Sequence, residues 1–483
     1  MTGVGGVPRA RATIPRAGIG ALACVAVFLA LPSAAAASDA VHLGAQLPLG
    51  TVVPFVALLL AIALLPLVVP HWWEPNRNKA LVAAVLAVPL AAYLIAVWGE
   101  AGAAELAHKA REYVSFIVLL GSLFVITSGI YLQGSLSGTP AMNTLILAAG
   151  AVSANLIGTT GASVLLIRPL LRANASRVRK AHVVIFFIFV VSNCGGLLTP
   201  LGDPPLFLGF LNGVPFEWTL RLWRQWALVN GALLVIFHVW DEATLNREER
   251  ERPGSQLEEV MKHEPLRVHG LHNLACLVAI VAIIFAAGQG LGNRGEPWPF
   301  GWQEGLMVGV GLAAYVSTAP VNRANNRFSF GPIIEVAVLF AGIFVTMAPA
   351  LLILNARGKE LGLSEPWHFF WASGSLSSFL DNAPTYLTFA ATAAGFKGIA
   401  IEGRYLATFL ERGGLEAASL LSAISCGSVF MGANSYIGNG PNFMVKAIAE
   451  ENGVRMPSFF GYMAYSVAIL VPLFGVVTYV FFR

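Results

Sequence analysis

Apolar runs long enough to cross a bilayer recur along this 483-residue chain, and nothing constrains its fold more. A helix rises about 1.5 Å per residue, so about 20 apolar residues cover the hydrocarbon core. Lipid offers no hydrogen bonds, so every backbone N–H and C=O there must find its partner within the protein. Composition agrees: 56% of residues are hydrophobic and 12% charged, about half the charged share of a soluble domain. Short alternating strands, which would signal a barrel, do not appear. The chain reads as an all-α polytopic membrane protein whose first partner is the lipid bilayer.

The spans fall near 48–70, 80–98, 114–133, 180–212 and 219–240, then near 271–290, 303–320, 331–355, 416–449 and 457–482. Two further apolar stretches, 141–172 and 367–396, are interrupted by "NLIGTTGAS" and "LDNAPT". Each arm is too short to cross, which predicts two re-entrant hairpins. The charged stretch beginning "DEATLNREERER" reads as a solvated cytoplasmic linker, 241–270, between a first repeat (48–240) and a second (271–483). Five spans and a hairpin per half give an odd number of crossings, so the second half would insert upside down. "VLLGSLFVITSGIYL" (118–132) aligns with "VLFAGIFVTMAPALL" (338–352), and Gly202-Asp203-Pro204-Pro205 with Gly438-Asn439-Gly440-Pro441. The basic loop "RANASRVRK" (172–180) orients the chain, placing the first hairpin's mouth in the cytoplasm. Arg9, Arg11 and Arg16 before an apolar core and "SAAAASDA" read as a signal peptide, 1–37. Cleavage near Ala37 would leave the mature N-terminus outside the cytoplasm of a bacterial inner membrane; the alternative is an uncleaved anchor helix.

Helix breakers inside spans carry the functional argument. Broken backbone at mid-membrane survives only where it is buried in protein or lines a polar cavity, and matched broken elements in inverted repeats mark a secondary transporter. One half-site is "SNCGGLLTPLGDPPLFL" (192–208), with Asn193, Thr199 and Asp203; the other is "GANSYIGNGPN" (432–442), with Asn434, Ser435 and Asn439. The first hairpin tip offers Asn155, Thr159 and Thr160, and the second Asp381, Asn382 and Thr385. These small oxygen-bearing side chains suit Na⁺. An acid in the membrane is costly and is by default a functional candidate. Desolvation favours a neutral acid and a bound cation its ionised form, so one carboxylate can hold Na⁺ or H⁺ in turn. Asp381 is the first candidate for that exchange and Asp203 the second; either could instead cap a half-helix.

These motifs resemble the ion transporter superfamily, which includes D-type sodium/proton antiporters, arsenite permeases and citrate or dicarboxylate carriers. "SSFLDNAPT", "SNCGGLLTPLGDPP" and "GANSYIGNGPN" carry the resemblance, which covers most of the chain after residue 47. It implies an inverted-repeat fold with two opposed hairpins, often a homodimer, with elevator-like motion. It places the site on Asn193, Asp203, Asp381, Asn382 and Asn434. The Ser-Asn-Thr signatures of dicarboxylate carriers stand here as Ser192-Asn193-Cys194 and Ala433-Asn434-Ser435, an imperfect fit.

Sodium/proton antiport is therefore the leading expectation, with Asp381 and Asp203 as Na⁺ ligands. Na⁺- or H⁺-coupled uptake of a small organic anion such as citrate is the alternative. No cofactor is expected beyond the transported ions. Cys24, Cys194, Cys276 and Cys426 lie in apolar segments without metal-ligand spacing, and a net charge of +4 spread among loops speaks against nucleic acid. An intramembrane enzyme finds no Ser/His or HExxH arrangement to rest on.

Overall fold

The computed structural model describes residues 40–135, 137–254, 264–294, 296, 298–326 and 328–483; the segment read as a signal lies outside them. Among the described residues seven helices are long and apolar enough to cross a membrane, and the shorter Ala181–Leu197 and His272–Gly288 are apolar too. Among the described residues one small two-stranded sheet accompanies them. The protein is a multi-pass helical membrane protein.

Helix α1 (Val53–Val68) leads to α2 (Asn76–Ser128), which merges two spans across Gly99, whose φ of 54° and ψ of −125° turn the chain sharply. Few residues but glycine adopt that backbone. The stretch 104–113 belongs to the helix beyond this kink, and there Lys109 and Glu112 form a buried pair at 2.9 Å. Strand β1 (Tyr131–Ser135) precedes α3 (Pro140–Ala173), interrupted at Gly158 (φ 76°, ψ 154°). Asn143 and Asn174, near the two ends of α3, exchange side-chain hydrogen bonds of 2.9 and 2.8 Å. The two ends therefore meet, and α3 is a hairpin with Gly158 at its tip.

The first broken span is α4 (Ala181–Val190), a non-helical stretch with a 3₁₀ turn at Cys194–Leu197, and α5 (Pro204–Leu211). No residue from Val183 to Val191 is more than 1% exposed. A helix apolar on every face belongs at a protein's centre, and α4 lies there. Next come α6 (Trp223–Glu251), β2 (Glu264–His269), α7 (His272–Gly288), α8 (Trp302–Ser317) and α9 (Gly331–Arg357). The second interrupted pair is α10 (Pro366–Ser377) and α11 (Asn382–Phe396). The second broken span is α12 (Tyr405–Met431) and α13 (Gly440–Glu451), and α14 (Phe459–Val477) closes the chain. On α1, α6 and α8 large apolar side chains such as Leu60, Val239 and Val316 lie exposed. Hydrocarbon accepts such a surface without cost.

Polar contacts gather several loops at one end of the molecule. β1 pairs antiparallel with β2, Tyr131 opposite His269. Arg172 donates to the Leu132 carbonyl at 2.7 Å, Arg179 pairs with Glu251 at 2.8 Å, and Asn326 donates to the Ser128 and Ile130 carbonyls at 2.8 Å each. Helix α9 starts beside this basic end and runs 27 residues away from it. Near its far end Asn355 donates to Ala391 and Ile399. The second hairpin is thus rooted at the opposite end from the first.

One expectation needs correction. The charged stretch 241–270 is not a solvated loop from its start, because α6 continues through it to Glu251. Asp241 is 0% exposed. It accepts from Arg177 at 2.6 Å, His182 at 2.7 Å and Asn143 at 2.9 Å, so its charge is buried fully compensated. Glu335, at the foot of α9, pairs with Lys79 at 2.7 Å.

Candidate functional site

The two breaks are held open by the same local device. Asp203 and Asn439 each occupy the position before a half-helix that begins with proline in its first turn. Both have extended backbones (φ −145°, ψ 144° and φ −151°, ψ 140°), and neither side chain caps its own helix. A capping position whose side chain does not cap leaves that side chain free for other work. Close backbone approach accompanies each break. A Cβ at Gly196 would lie 2.8 Å from the Gly202 carbonyl oxygen, and one at Gly438 2.6 Å from that of Gly432. Only glycine permits such a crossing.

Neighbouring spans satisfy the carbonyls that the breaks release, as a bilayer requires. In the first break Trp226 donates to Gly195 at 2.8 Å and Asn230 to Cys194 at 3.1 Å. In the second, Tyr462 donates to Ala433 at 2.8 Å and Ser466 to Asn434 at 2.6 Å.

Asp203 is the hub, 1% exposed. Its Oδ1 accepts from Thr159 Oγ1 at 2.8 Å and from Asn439 Nδ2 at 3.2 Å, and its Oδ2 from Asn382 Nδ2 at 2.5 Å. The first hairpin tip, the second hairpin tip and the second break therefore all converge on one carboxylate of the first break. A second link runs between the breaks: Asn193 Nδ2 donates to Asn442 Oδ1 at 2.7 Å, and Asn439 Nδ2 reaches Asn193 Oδ1 at 3.2 Å. Asn442 in turn donates to the Gly432 and Ser435 carbonyls. Asn442 escaped the sequence reading. Its signal was present, since it lies in the first turn of the half-helix that Asn439 precedes, inside the quoted stretch 432–442.

The other candidates divide by what they touch. Asn155 Oδ1 accepts the Leu198 N–H at 2.7 Å, and Thr199 donates to the Asn155 carbonyl, which seats the first break on the first hairpin. Asn434 donates to Ser378 Oγ at 2.9 Å and Ser435 to the Ser378 carbonyl, which seats the second break on the second hairpin. Thr385 bonds back to the Asp381 carbonyl at 2.9 Å. Asp381 is half-buried, and its Oδ1 accepts the Ala383 N–H at 3.0 Å as the N-cap of α11. The sequence ranks Asp381 before Asp203; the geometry makes Asp381 the cap and Asp203 the centre.

Electrostatically the site is one-sided. Ion pairs of the described residues, such as Lys79–Glu335, Lys109–Glu112 and Arg177–Asp241, lie elsewhere, and none includes Asp203 or Asp381. Among the described residues the buried amide oxygens Asn382 Oδ1 and Asn434 Oδ1 have no hydrogen-bond partner, nor does Asn230 Oδ1 behind the first break.

Broken helices crossing at a buried carboxylate, inside a multi-pass bundle, define a membrane transporter. The chain belongs to the family described as "Putative citrate transport", whose model matches residues 44–482. It is also similar to an uncharacterised transporter of Synechocystis sp., slr0753. The two are 23% identical over 332 residues, which cover 64% of this chain and 70% of the relative. Both findings agree with the resemblance to the ion transporter superfamily.

Proposed function

We propose that this chain is a sodium/proton antiporter in which Asp203 carries the cation and the proton in turn. One observation carries the reading: Asp203 draws donors from Thr159, Asn382 and Asn439, and the amide oxygens of Asn382 and Asn434 are left without a partner. Thr159 Oγ1, Asn382 Nδ2 and Asn439 Nδ2 are committed to Asp203, and Asn193 Nδ2 to Asn442. Asn382 Oδ1 and Asn434 Oδ1 stay unpartnered. An unsatisfied buried acceptor costs about 1–3 kcal/mol, and a hard cation, which takes oxygen ligands, relieves that cost. A polyanion would meet those oxygens and the Asp203 carboxylate with no cationic side chain to offset them. Na⁺ and H⁺ compete for the same carboxylate, so binding one releases the other.

In this reading the basic end that carries residues 172–180 faces the cytoplasm of a bacterial inner membrane. The test uses inside-out membrane vesicles energised to acid interior, with a pH-sensitive dye. Addition of Na⁺ or Li⁺ is expected to discharge the gradient, and Asp203→Asn to abolish the response. A second reading, cation-coupled citrate transport, is favoured by the family description. Radiolabelled citrate uptake that depends on Na⁺, with no cation-driven proton efflux, would replace the first reading with the second.

A further inference from the structure

A cleft reaches Asp203 from one side. Its near wall is Leu123 and Phe124 of α2 with Ile333 and Val336 of α9, and its far wall is the first hairpin tip, with Thr160, and the first break, with Asp203. The stretches of α2 and α9 that line it are the ones nearest the basic end, since α2 ends at Ser128 and α9 begins at Gly331. Toward that end Phe124 packs against Phe328, just before α9, at 5.4 Å, and farther from it the two helices are stitched together. Phe116 stacks on Phe340 at 4.8 Å, and Tyr113 donates to the Ala337 carbonyl at 2.8 Å.

Thr160 lacks the bond that most helical threonines here make. Thr346, Thr388 and Thr392 each donate to the carbonyl four residues back. For Thr160 that residue is Leu156, on the other arm of the hairpin beyond the Gly158 kink. Its neighbour Thr159 is committed to Asp203. Among the described residues the Thr160 hydroxyl has no hydrogen-bond partner, and it is half-buried on the cleft wall. The walls are otherwise almost wholly apolar, so they offer an entering ion nothing to replace its water until it meets this oxygen.

We infer that cargo reaches Asp203 from the basic end through this cleft, and that Thr160 is a specificity-determining ligand which replaces a water of the incoming cation beside Asp203. The inference rests on the cation reading of the site and adds to it a route and a selecting oxygen.

Two measurements test it. Ile333→Cys is exposed to a membrane-impermeant maleimide in inside-out and in right-side-out vesicles, with the unsubstituted protein as control for native thiols. Labelling is expected in the orientation that presents residues 172–180 to the medium, slowed by Na⁺. Labelling only in the opposite orientation, or none in either, overturns the route. Separately, Thr160→Val should raise the apparent KM for Na⁺ about tenfold, on the scale of one lost bond to a charged group. Its kcat should stay near that of the unsubstituted protein, the Li⁺/Na⁺ preference should shift, and Thr160→Ser should restore both. Valine matches threonine in shape, and maleimide labelling of Thr160→Val in the Ile333→Cys background checks that the cleft is intact. An unchanged KM and ion preference in Thr160→Val overturns its role. If citrate and not Na⁺ slows labelling, the cation reading fails and the selecting role of Thr160 fails with it, while the route itself stands.

Discussion

At the residue scale, the two acids differ in what holds them. Asp203 accepts three side-chain bonds from three separate elements, whereas Asp381 accepts one backbone N–H of its own helix. Their variants should therefore separate. Asp203→Asn is expected to lower cation-driven proton efflux to the level of vesicles lacking the protein. Asp381→Asn, which preserves a capping side chain, should keep exchange and change its cation affinity. Asp381→Ala should cost about 1 kcal/mol of stability, as lost N-caps do, read from thermal unfolding in detergent. If Asp381→Asn is silent and Asp203→Asn active, the assignment is reversed. The sequence ranks Asp381 first, and nothing local could have reversed that order, because each is an Asp before a proline-containing half-helix. Which one caps depends on backbone angles, and those follow from the tertiary crossing of the breaks.

At the element scale, the breaks and hairpins were legible because Gly, Pro and small polar residues have no cheap place in a lipid-facing helix. The sequence positions of Gly158, Gly202 and Gly438 mark the tip and the two crossings. What stayed hidden was partnership. Asp241 sits in a run of charges and looks solvated, yet it is buried because Arg177, His182 and Asn143 come to it from three other places in the chain. Asn442 likewise finds Asn193 across 249 positions. The glycines give a paired prediction. Gly202→Ala would press a methyl group into the Gly196 backbone, and overpacking of this kind costs about 1–3 kcal/mol; here it would also part Thr159 from its bond to the Gly202 carbonyl. Loss of exchange with a lowered unfolding temperature is expected. Gly440→Ala, where no atom lies within 4 Å of an added Cβ, should unfold and transport like the unsubstituted protein.

At the scale of the whole molecule, the buried Arg177–Asp241 cluster ties both ends of the first hairpin to α4 and α6. Removing one member of such a pair strands the other charge, at about 3–5 kcal/mol. Arg177→Gln should therefore fall near that range in detergent unfolding, with His182 softening the loss. A cost below about 1 kcal/mol would mean that the cluster is not a structural tie. The centre has the same long-range character, since Asp203 depends on Asn382 and Asn439. During synthesis the acid enters the membrane long before those residues have been made. For the time needed to add 179 residues, Thr159 alone among its three side-chain donors is present, and Asn439 follows later still. The nascent chain thus carries an incompletely answered acid until Asn439 is made, 236 residues after it in a chain of 483. Chains that stall or misinsert after the first half would be marked by it, which gives the cell's membrane quality control a chemical handle on unfinished copies.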